Sequence, residues 1–267
     1  MPVTVPRYFD LLVEGFWSGR AGRNVHLGYW DQPPPSASCS PQEFEAAQAR
    51  LTEILIDLAD LHEGQSVLDV GCGFGGTLEA VGDRPGLRAG VNVDRRQLDI
   101  CRTLPATTGP LWLVLADACA LPFRAASFDR VFCVEAMFHF RARDAFLRQA
   151  AQVLRPGGRL VLSDILLRSP AEPAALSAAA IQAAIGGEYG PWPQPFVTAE
   201  EIVKYAEQAG LRLEKTVDAT RQTLPTYRVT APQQQEGLPQ PPSAGSVLRW
   251  LHAGGHLSYL CLSLIRD

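Results

Sequence analysis

Between residues 66 and 163 the chain alternates short apolar runs with segments of helical period, and this alternation limits the fold more than any other feature. Residues 66–70 (SVLDV), 89–93 (AGVNV), 111–115 (LWLVL), 128–134 (FDRVFCV) and 159–163 (RLVLS) read as strands. They are apolar nearly throughout, so both faces of the sheet need cover. Helical segments at 78–82, 95–103 and 143–154 lie between them, the last stopped by Pro156-Gly157-Gly158. Repeated strand–helix units of this kind build an α/β, doubly wound parallel sheet. Residues 211–217 and 257–265 add two further runs, which makes seven strands.

The flanks carry their own signals. The N-terminal cap segment, 1–63, holds Tyr8, Phe9, Phe16, Trp17, Tyr29 and Trp30 and a Pro33-Pro34-Pro35 run. Within it a helix begins at Ser40, with Pro41 in the first turn and Glu43 closing a capping box. Its apolar stripe is Phe44, Ala47, Leu51, Ile54 or Leu55, and Leu58, running toward Gly64. The remainder, 64–267, forms the main domain, with a helical lid insertion at about 168–197 that ends near Gly190-Pro191-Trp192-Pro193. A second capped helix starts at Thr198, with Glu201 at the box position and Gly210 as terminator. Residues 232–243 (PQQQEGLPQPPS) have little apolar content and are expected to be an exposed, functionally minor loop.

Composition narrows the partners. The chain has 267 residues, 46% of them hydrophobic and 19% charged, enough to build a sizeable core. There are 24 basic and 28 acidic side chains, and Lys204 and Lys215 are the only lysines. Nucleic-acid binding needs a basic stripe that releases counterions, and none is visible. No apolar run reaches the roughly 20 residues of a membrane span. The opening MPVTVPRYFD lacks the basic and apolar regions of a secretory signal, so a soluble, cytoplasmic protein is expected. The six cysteines form no C-x-x-C pair. His252 and His256 flank Ala253-Gly254-Gly255, a poor helix, so no metal site is expected.

The chemistry is concentrated in VLDVGCGFGG, residues 67–76. Gly71, Gly73 and Gly76 follow a strand and precede a helix as G-x-G-x-x-G, which by itself also fits a dinucleotide. Asp69 separates the readings. Its carboxylate would repel a pyrophosphate at the helix N-terminus and attract a cofactor carrying an ammonium and a sulfonium.

With that carboxylate the stretch resembles the class I S-adenosylmethionine-dependent methyltransferases, in the branch acting on sugars, macrolides, sterols and sarcosine-type small molecules. The likeness runs in order over residues 64–165. It implies a Rossmann-like sheet in the order 3-2-1-4-5-7-6, with the last strand antiparallel. It implies S-adenosylmethionine as cofactor, its methionine part lying along Asp69, Gly71, Cys72 and Gly73. The segment Gly90-Val91-Asn92-Val93-Asp94-Arg95-Arg96-Gln97 is similar to the family's ribose-binding turn, with Asn92 and Gln97 in the sugar-binding positions. Asp94 stands where serine is usual and is equally readable as the N-cap of the next helix. Asp117 and Ala118 match the adenine-binding position, and Glu135 would face the cofactor. The stretch His26-Leu27-Gly28-Tyr29-Trp30 is similar to one whose aromatic ring covers the methionine end, where a ring face suits a sulfonium. Tyr29 and Trp30 are equally able to staple the segment to the core. Leu121-Pro122-Phe123, Ser127-Phe128-Asp129 and Leu154-Arg155-Pro156-Gly157-Gly158 are family landmarks with packing and turn roles.

The segment Val134-Glu135-Ala136-Met137-Phe138-His139-Phe140 should hold the reacting centre, because ligands bind beyond the carboxyl ends of parallel strands. The resemblance gives His139 as proton acceptor, oriented by Asp164, or as a merely structural histidine. Together these readings imply methyl transfer to a small, largely apolar acceptor, with oxygen slightly favoured over nitrogen or carbon. Phe138, Phe140, Trp192, Phe196 and the early aromatics of the N-terminal segment would line a lid over a ring-bearing or isoprenoid-like acceptor. A nicotinamide-dependent oxidoreductase and a cofactor-binding relative without turnover are the rival classes.

Overall fold

The computed structural model describes residues 8–32, 39–106, 109–168, 178–194, 197–230 and 243–267. The elements run α1 (Tyr8–Trp17), α2 (Pro41–Ala59), β1 (Ser66–Val70), α3 (Gly76–Ala80), β2 (Leu87–Asn92), α4 (Arg95–Cys101), β3 (Leu111–Leu115) and β4 (Phe128–Val134). They continue through α5 (Arg143–Val153), β5 (Leu154–Leu167), α6 (Ala178–Tyr189), α7 (Ala199–Gln208), β6 (Leu211–Asp218), α8 (Thr220–Thr223), α9 (Thr226–Thr230), α10 (Ala244–Ala253) and β7 (Leu257–Arg266). The seven strands form one sheet in the order β3-β2-β1-β4-β5-β7-β6. Strands β1 to β5 pair in parallel, and β7 is antiparallel to both β5 and β6. This is the Rossmann-like order expected from the sequence.

Each face of the sheet has its own core. On one side α5 and α7 place Phe146, Leu147, Ile202 and Ala206 over Leu68, Val131 and Leu162. On the other, α2, α6 and α10 bring Leu51, Leu55, Ile181, Ile185, Val247 and Leu251 against Phe132, Val161 and Tyr259. Burial on both faces is why the strands carry almost no alternation.

Both capping boxes form. Ser40 Oγ accepts from the Glu43 backbone N–H while Glu43 accepts from the Ser40 N–H at 2.7 Å, and Thr198 with Glu201 repeats the arrangement. α2 stops at Asp60, in the left-handed region at φ 50°, four residues before the expected terminator Gly64. The Arg130 guanidinium donates to the carbonyls of Ala59 and Asp60, satisfying helix-end acceptors.

Several boundaries differ from the sequence reading. β5 begins at Leu154, directly after α5, so Pro156-Gly157-Gly158 lies inside the strand and not before it. Leu154 pairs with Phe128, the register shifts, and pairing resumes at Arg130↔Arg159, with Gly157 at φ 75° absorbing the extra residues. α1 lies in the aromatic, turn-rich start of the cap segment, and α10 in a stretch given no element from the sequence, although Val247, Leu248 and Leu251 keep helical spacing. Of the expected insertion, α6 and the turn at 190–194 are described, whereas 169–177 and Phe196 lie outside the described residues. The loop expected at 232–243 also lies outside them, save Ser243, which N-caps α10.

Replacing Ser40 or Thr198 by alanine is expected to cost roughly 1 kcal/mol each. Urea unfolding of the two variants checks this, with the midpoint falling at unchanged slope.

Candidate active site

The order of the sheet reverses between β1 and β4, and connections leaving these neighbours in opposite directions open a crevice at their carboxyl ends. A cavity of about 300 Å³ occupies that crevice. It gathers Asp69, Gly71, Cys72, Gly73, Asn92, Gln97, Asp117, Ala118, Glu135 and His139 in one lining, although they come from four different strand ends.

The floor is the turn after β1. Gly71 and Gly73 adopt φ of 77° and 52°, which glycine takes without steric cost. A Cβ on Gly71 would sit 2.4 Å from the Ala136 Cβ, so the turns after β1 and β4 touch through their smallest residues. Asp69 is buried to 2% exposure, and burial raises its carboxyl to about 7. A positively charged group beside it would recover that cost.

Beyond β2, Asn92 Nδ2 donates to Gln97 Oε1 at 3.0 Å, and Asn92 Oδ1 accepts from the Asp94 N–H at 3.0 Å. Gln97 Nε2 is buried without a partner, a donor left over at the cavity wall. Asp94 is the N-cap of α4, held by the Arg96 backbone and guanidinium, and does not line the cavity. After β3, Asp117 accepts from the Cys119 N–H at 2.8 Å and from Arg141 Nε at 3.1 Å.

Glu135 stands at the end of β4 with φ of 45°. Its Oε1 accepts from the Leu27 N–H at 2.7 Å and the Tyr259 hydroxyl at 2.6 Å. Burial nonetheless pushes the carboxyl up to about 7, against the lowering effect of these two bonds. His139 follows in the turn Met137–His139, its ring 4.6 Å from Phe138 and 6.0 Å from both Phe9 and Trp192. Nδ1 is buried without a partner, and burial lowers the ring to about 4, with the Pro191 backbone opposing and Arg143 assisting.

Two sequence expectations need correction. Asp164 does not orient His139. Its carboxylate forms a fully buried ion pair with Arg143, at the start of α5, and its other oxygen accepts from the Ile165 N–H. A guanidinium satisfies a buried carboxylate better than a neutral ring held well below its usual range. Tyr29 and Trp30 do not line the cavity either. Trp30 stacks on Phe44 at 6.4 Å and donates through Nε1 to Thr226 Oγ1 at 3.0 Å, while the Tyr29 N–H binds the Ala47 carbonyl. Gly28 permits this, since a Cβ there would lie 2.7 Å from the Ala47 Cβ. The segment instead contributes Arg23, Asn24, Val25 and His26 to the lining, and α1 contributes Tyr8, Phe9 and Leu12. Tyr8 and Phe9 belong to the early aromatics expected in the lid, and His26 to the stretch likened to a cofactor-covering one, whereas Leu12, Arg23, Asn24 and Val25 escaped the sequence reading.

The lining suits S-adenosylmethionine. A buried, unpaired carboxylate at Asp69 fits an ammonium, the free Gln97 amide donor fits a ribose hydroxyl, and the Gly71–Gly73 turn leaves room for a close approach.

Known proteins agree with that reading. A family described as methyltransferase domain matches residues 68–162. Methyltransferase GfsG of Streptomyces halstedii is 35% identical over 222 residues, 78% of this chain and 73% of that protein. The 27-O-demethylrifamycin SV methyltransferase of Amycolatopsis mediterranei is 33% identical, over 86% of this chain and 80% of its own. In shape, the chain superimposes on geranyl diphosphate C-methyltransferase from Streptomyces coelicolor with a TM-score of 0.75 over 100% of both chains, at 17% identity. The chain belongs to the S-adenosylmethionine-dependent methyltransferases that act on small molecules.

Two outcomes are expected here. Cofactor affinity measured by calorimetry should weaken as pH falls below about 7, where Asp69 takes up a proton and loses its charge, and stay flat above. Asp69 holds its proton more tightly when folded, so its contribution to stability is lost as pH rises toward 7. Asp69→Asn should therefore melt higher than wild type above neutral pH while losing at least about tenfold in affinity, roughly the effect of 1.4 kcal/mol. Unchanged affinity in that variant would remove Asp69 from the site. Asp164→Asn leaves Arg143 buried and unpaired and should cost about 3–5 kcal/mol in denaturant unfolding. Any loss of turnover in it should follow the folded fraction.

Proposed function

We propose that the chain transfers the methyl group of S-adenosylmethionine to a hydroxyl oxygen of a ring-bearing, largely apolar natural product. The observation that carries this reading is a second cavity, of about 260 Å³, that meets the first at Tyr8, Asn24, His26, Glu135 and His139. Phe44, Phe138, Ile165, Trp192 and Leu248 make it mainly apolar. An acceptor held there reaches the cofactor cavity where Glu135 and His139 stand. The name of the Amycolatopsis relative, which specifies an O-demethyl compound, supports oxygen as the methylated atom.

The cofactor supplies an electrophilic methyl group on a sulfonium sulfur. Asp69 and the Gly71–Gly73 turn would hold its amino-acid part, Asn92 and Gln97 its ribose, and Asp117 with Ala118 its adenine. Transfer of that methyl group to the acceptor oxygen would leave the electron pair of the carbon–sulfur bond on sulfur and release the hydroxyl proton. The hydroxyl proton passes to His139 Nδ1, the buried ring nitrogen without a partner. A ring held near 4 is neutral at physiological pH and orients the hydroxyl from the start, but it is a weak base. Its contribution therefore belongs at the lower end of the usual range, about 10²-fold. The walls exclude water and set the approach, which carries most of the rate.

Incubation with labelled S-adenosylmethionine and a panel of phenols, macrolide alcohols and amines, read by mass spectrometry, tests the reading. Label on an oxygen supports it, and label confined to nitrogen or carbon overturns it. His139→Ala should lower kcat by about 10²-fold with little change in cofactor affinity. The ratio of wild-type to variant kcat should hold constant between about pH 8 and about pH 5.5, because His139 stays neutral throughout. A ratio collapsing below neutral pH would return His139 to its ordinary range.

A further inference from the structure

Buried polar atoms in a folded protein are almost always paired, and an exception that lines a cavity is a candidate contact for a ligand. Among the described residues, seven buried side-chain atoms lack one: Gln97 Nε2, His139 Nδ1, Arg143 Nε, Trp192 Nε1, the Tyr227 hydroxyl and both nitrogens of His252. Gln97 belongs to the cofactor cavity and His139 to the junction. Trp192 and Tyr227 belong to neither role. Both line the second cavity alone, at 5% and 3% exposure, and Tyr227 packs at 5.2 Å against His252, which stands behind it.

The contrast with Tyr259 is instructive. That hydroxyl is fully used, donating to Glu135 and lying 3.0 Å from Ser163 Oγ. Trp30 likewise has its indole N–H on Thr226. Trp192, seated on Phe138 at 4.3 Å, has nothing for its N–H, and Tyr227 has nothing for its O–H.

We propose that the Tyr227 hydroxyl and the Trp192 indole N–H form a recognition site for a neutral oxygen of the acceptor, a carbonyl or ether placed away from the hydroxyl that is methylated. This rests on the reading of the second cavity as the acceptor site. Both groups are donors. Burial raises the Tyr227 phenol above its ordinary value, so it keeps its proton at neutral pH, and burial, with Arg168 assisting, lowers His252 to about 4, so the ring behind it is neutral. Among the described residues, Arg20 is the one arginine or lysine in this lining, and it is already paired with Glu14 at the exposed mouth. A carboxylate or phosphate would therefore be buried without a counter-charge, which is costly, whereas a neutral oxygen accepts both hydrogen bonds. The acceptor class is a neutral, ring-bearing compound with at least two oxygens, one methylated and one recognised.

Paired probes test this. 1-Tetralone and tetralin share a ring skeleton and differ by one carbonyl oxygen, which accepts from Tyr227 or Trp192 but has no proton to offer His139. Calorimetry with S-adenosylhomocysteine present should show wild type preferring 1-tetralone by about 3- to 10-fold, the range of a neutral hydrogen bond. In the double variant Tyr227→Phe/Trp192→Phe the preference should fall below about twofold while tetralin affinity holds. Tyr227→Phe alone should leave the melting temperature of the free protein unchanged or higher, since it removes an unpaired buried hydroxyl. Equal affinity for both probes, no binding of either, a preference that survives in the double variant, or a lower melting temperature for Tyr227→Phe would each overturn the proposal. Binding of S-adenosylhomocysteine in the same samples reports on the cofactor cavity separately. Its loss in wild type would overturn the methyl-transfer reading and this inference with it.

Discussion

One carboxylate oxygen holds the two cavities together. Glu135 Oε1 accepts from the Leu27 backbone of the N-terminal segment and from Tyr259 in β7, while Glu135 itself ends β4. Three pieces of chain far apart in sequence thus meet at one atom. The cap segment is the partition between cofactor and acceptor sides, and it is tied elsewhere by Gln48 to the carbonyls of Asn24 and His26 and by Arg23 to those of Phe74 and Ile100. None of those bonds reaches the strand ends. The Glu135 contact, together with Val25 packed on Gly73, fixes the partition to the place where chemistry would occur. The left-handed backbone of Glu135 costs of order 1–3 kcal/mol and persists because the surrounding bonds over-determine it.

The sheet explains why the cavities lie where they do. Reversal of order between β1 and β4 opens the cofactor crevice, and close contact of Gly71 with Ala136 keeps its floor thin. The antiparallel β7 does something different. Inserted between β5 and β6, it delivers Tyr259 to Glu135 and seats α10, whose Leu248 walls the acceptor side. The parallel half of the sheet therefore builds the first cavity, while the second is walled mostly by the N-terminal segment and α2, with Thr226, Tyr227 and Leu248 coming from the chain between β6 and β7.

The sequence made the first half legible and hid much of the second. Continuous apolar strands, two capping boxes and the Asp69–Gly76 turn are local patterns, and each took the form it implied. His139 follows β4 and Asp164 is expected at the end of β5, which makes a pair plausible, yet Asp164 sits within β5 and its carboxylate pairs with Arg143 of α5. No spacing rule in the sequence announces that contact. Trp30 is bonded to a threonine 196 residues away, so its inward turn was equally invisible, although Gly28 beside it was the clue that the chain presses close to α2. The start of β5 was misjudged because Pro-Gly-Gly usually ends regular structure, and here a register shift carries the strand through it.

The distribution of satisfied and unsatisfied polar groups separates architecture from function. Away from the cavities most polar groups that serve the fold are paired: Asp129 accepts from Ser66 and Arg155 and joins β4 to the start of β1, Asp94 caps α4, and Arg143 meets Asp164, although Arg143 Nε and both ring nitrogens of His252 lack partners. Around the two cavities it is left open, at Asp69, Gln97 Nε2, His139 Nδ1, Trp192 Nε1 and the Tyr227 hydroxyl. Each open group lowers the stability of the ligand-free chain, and each recovers that cost only when a complementary ligand arrives. Ligands that bind the folded state stabilise it in proportion to the logarithm of their saturation. On the proposed assignment a cofactor would relieve Asp69 and Gln97, and an acceptor Trp192 and Tyr227, so the two ligands would repair different walls. His139 and Glu135 stand where those walls join, which makes the junction the part of the site that is completed only when both cavities are filled.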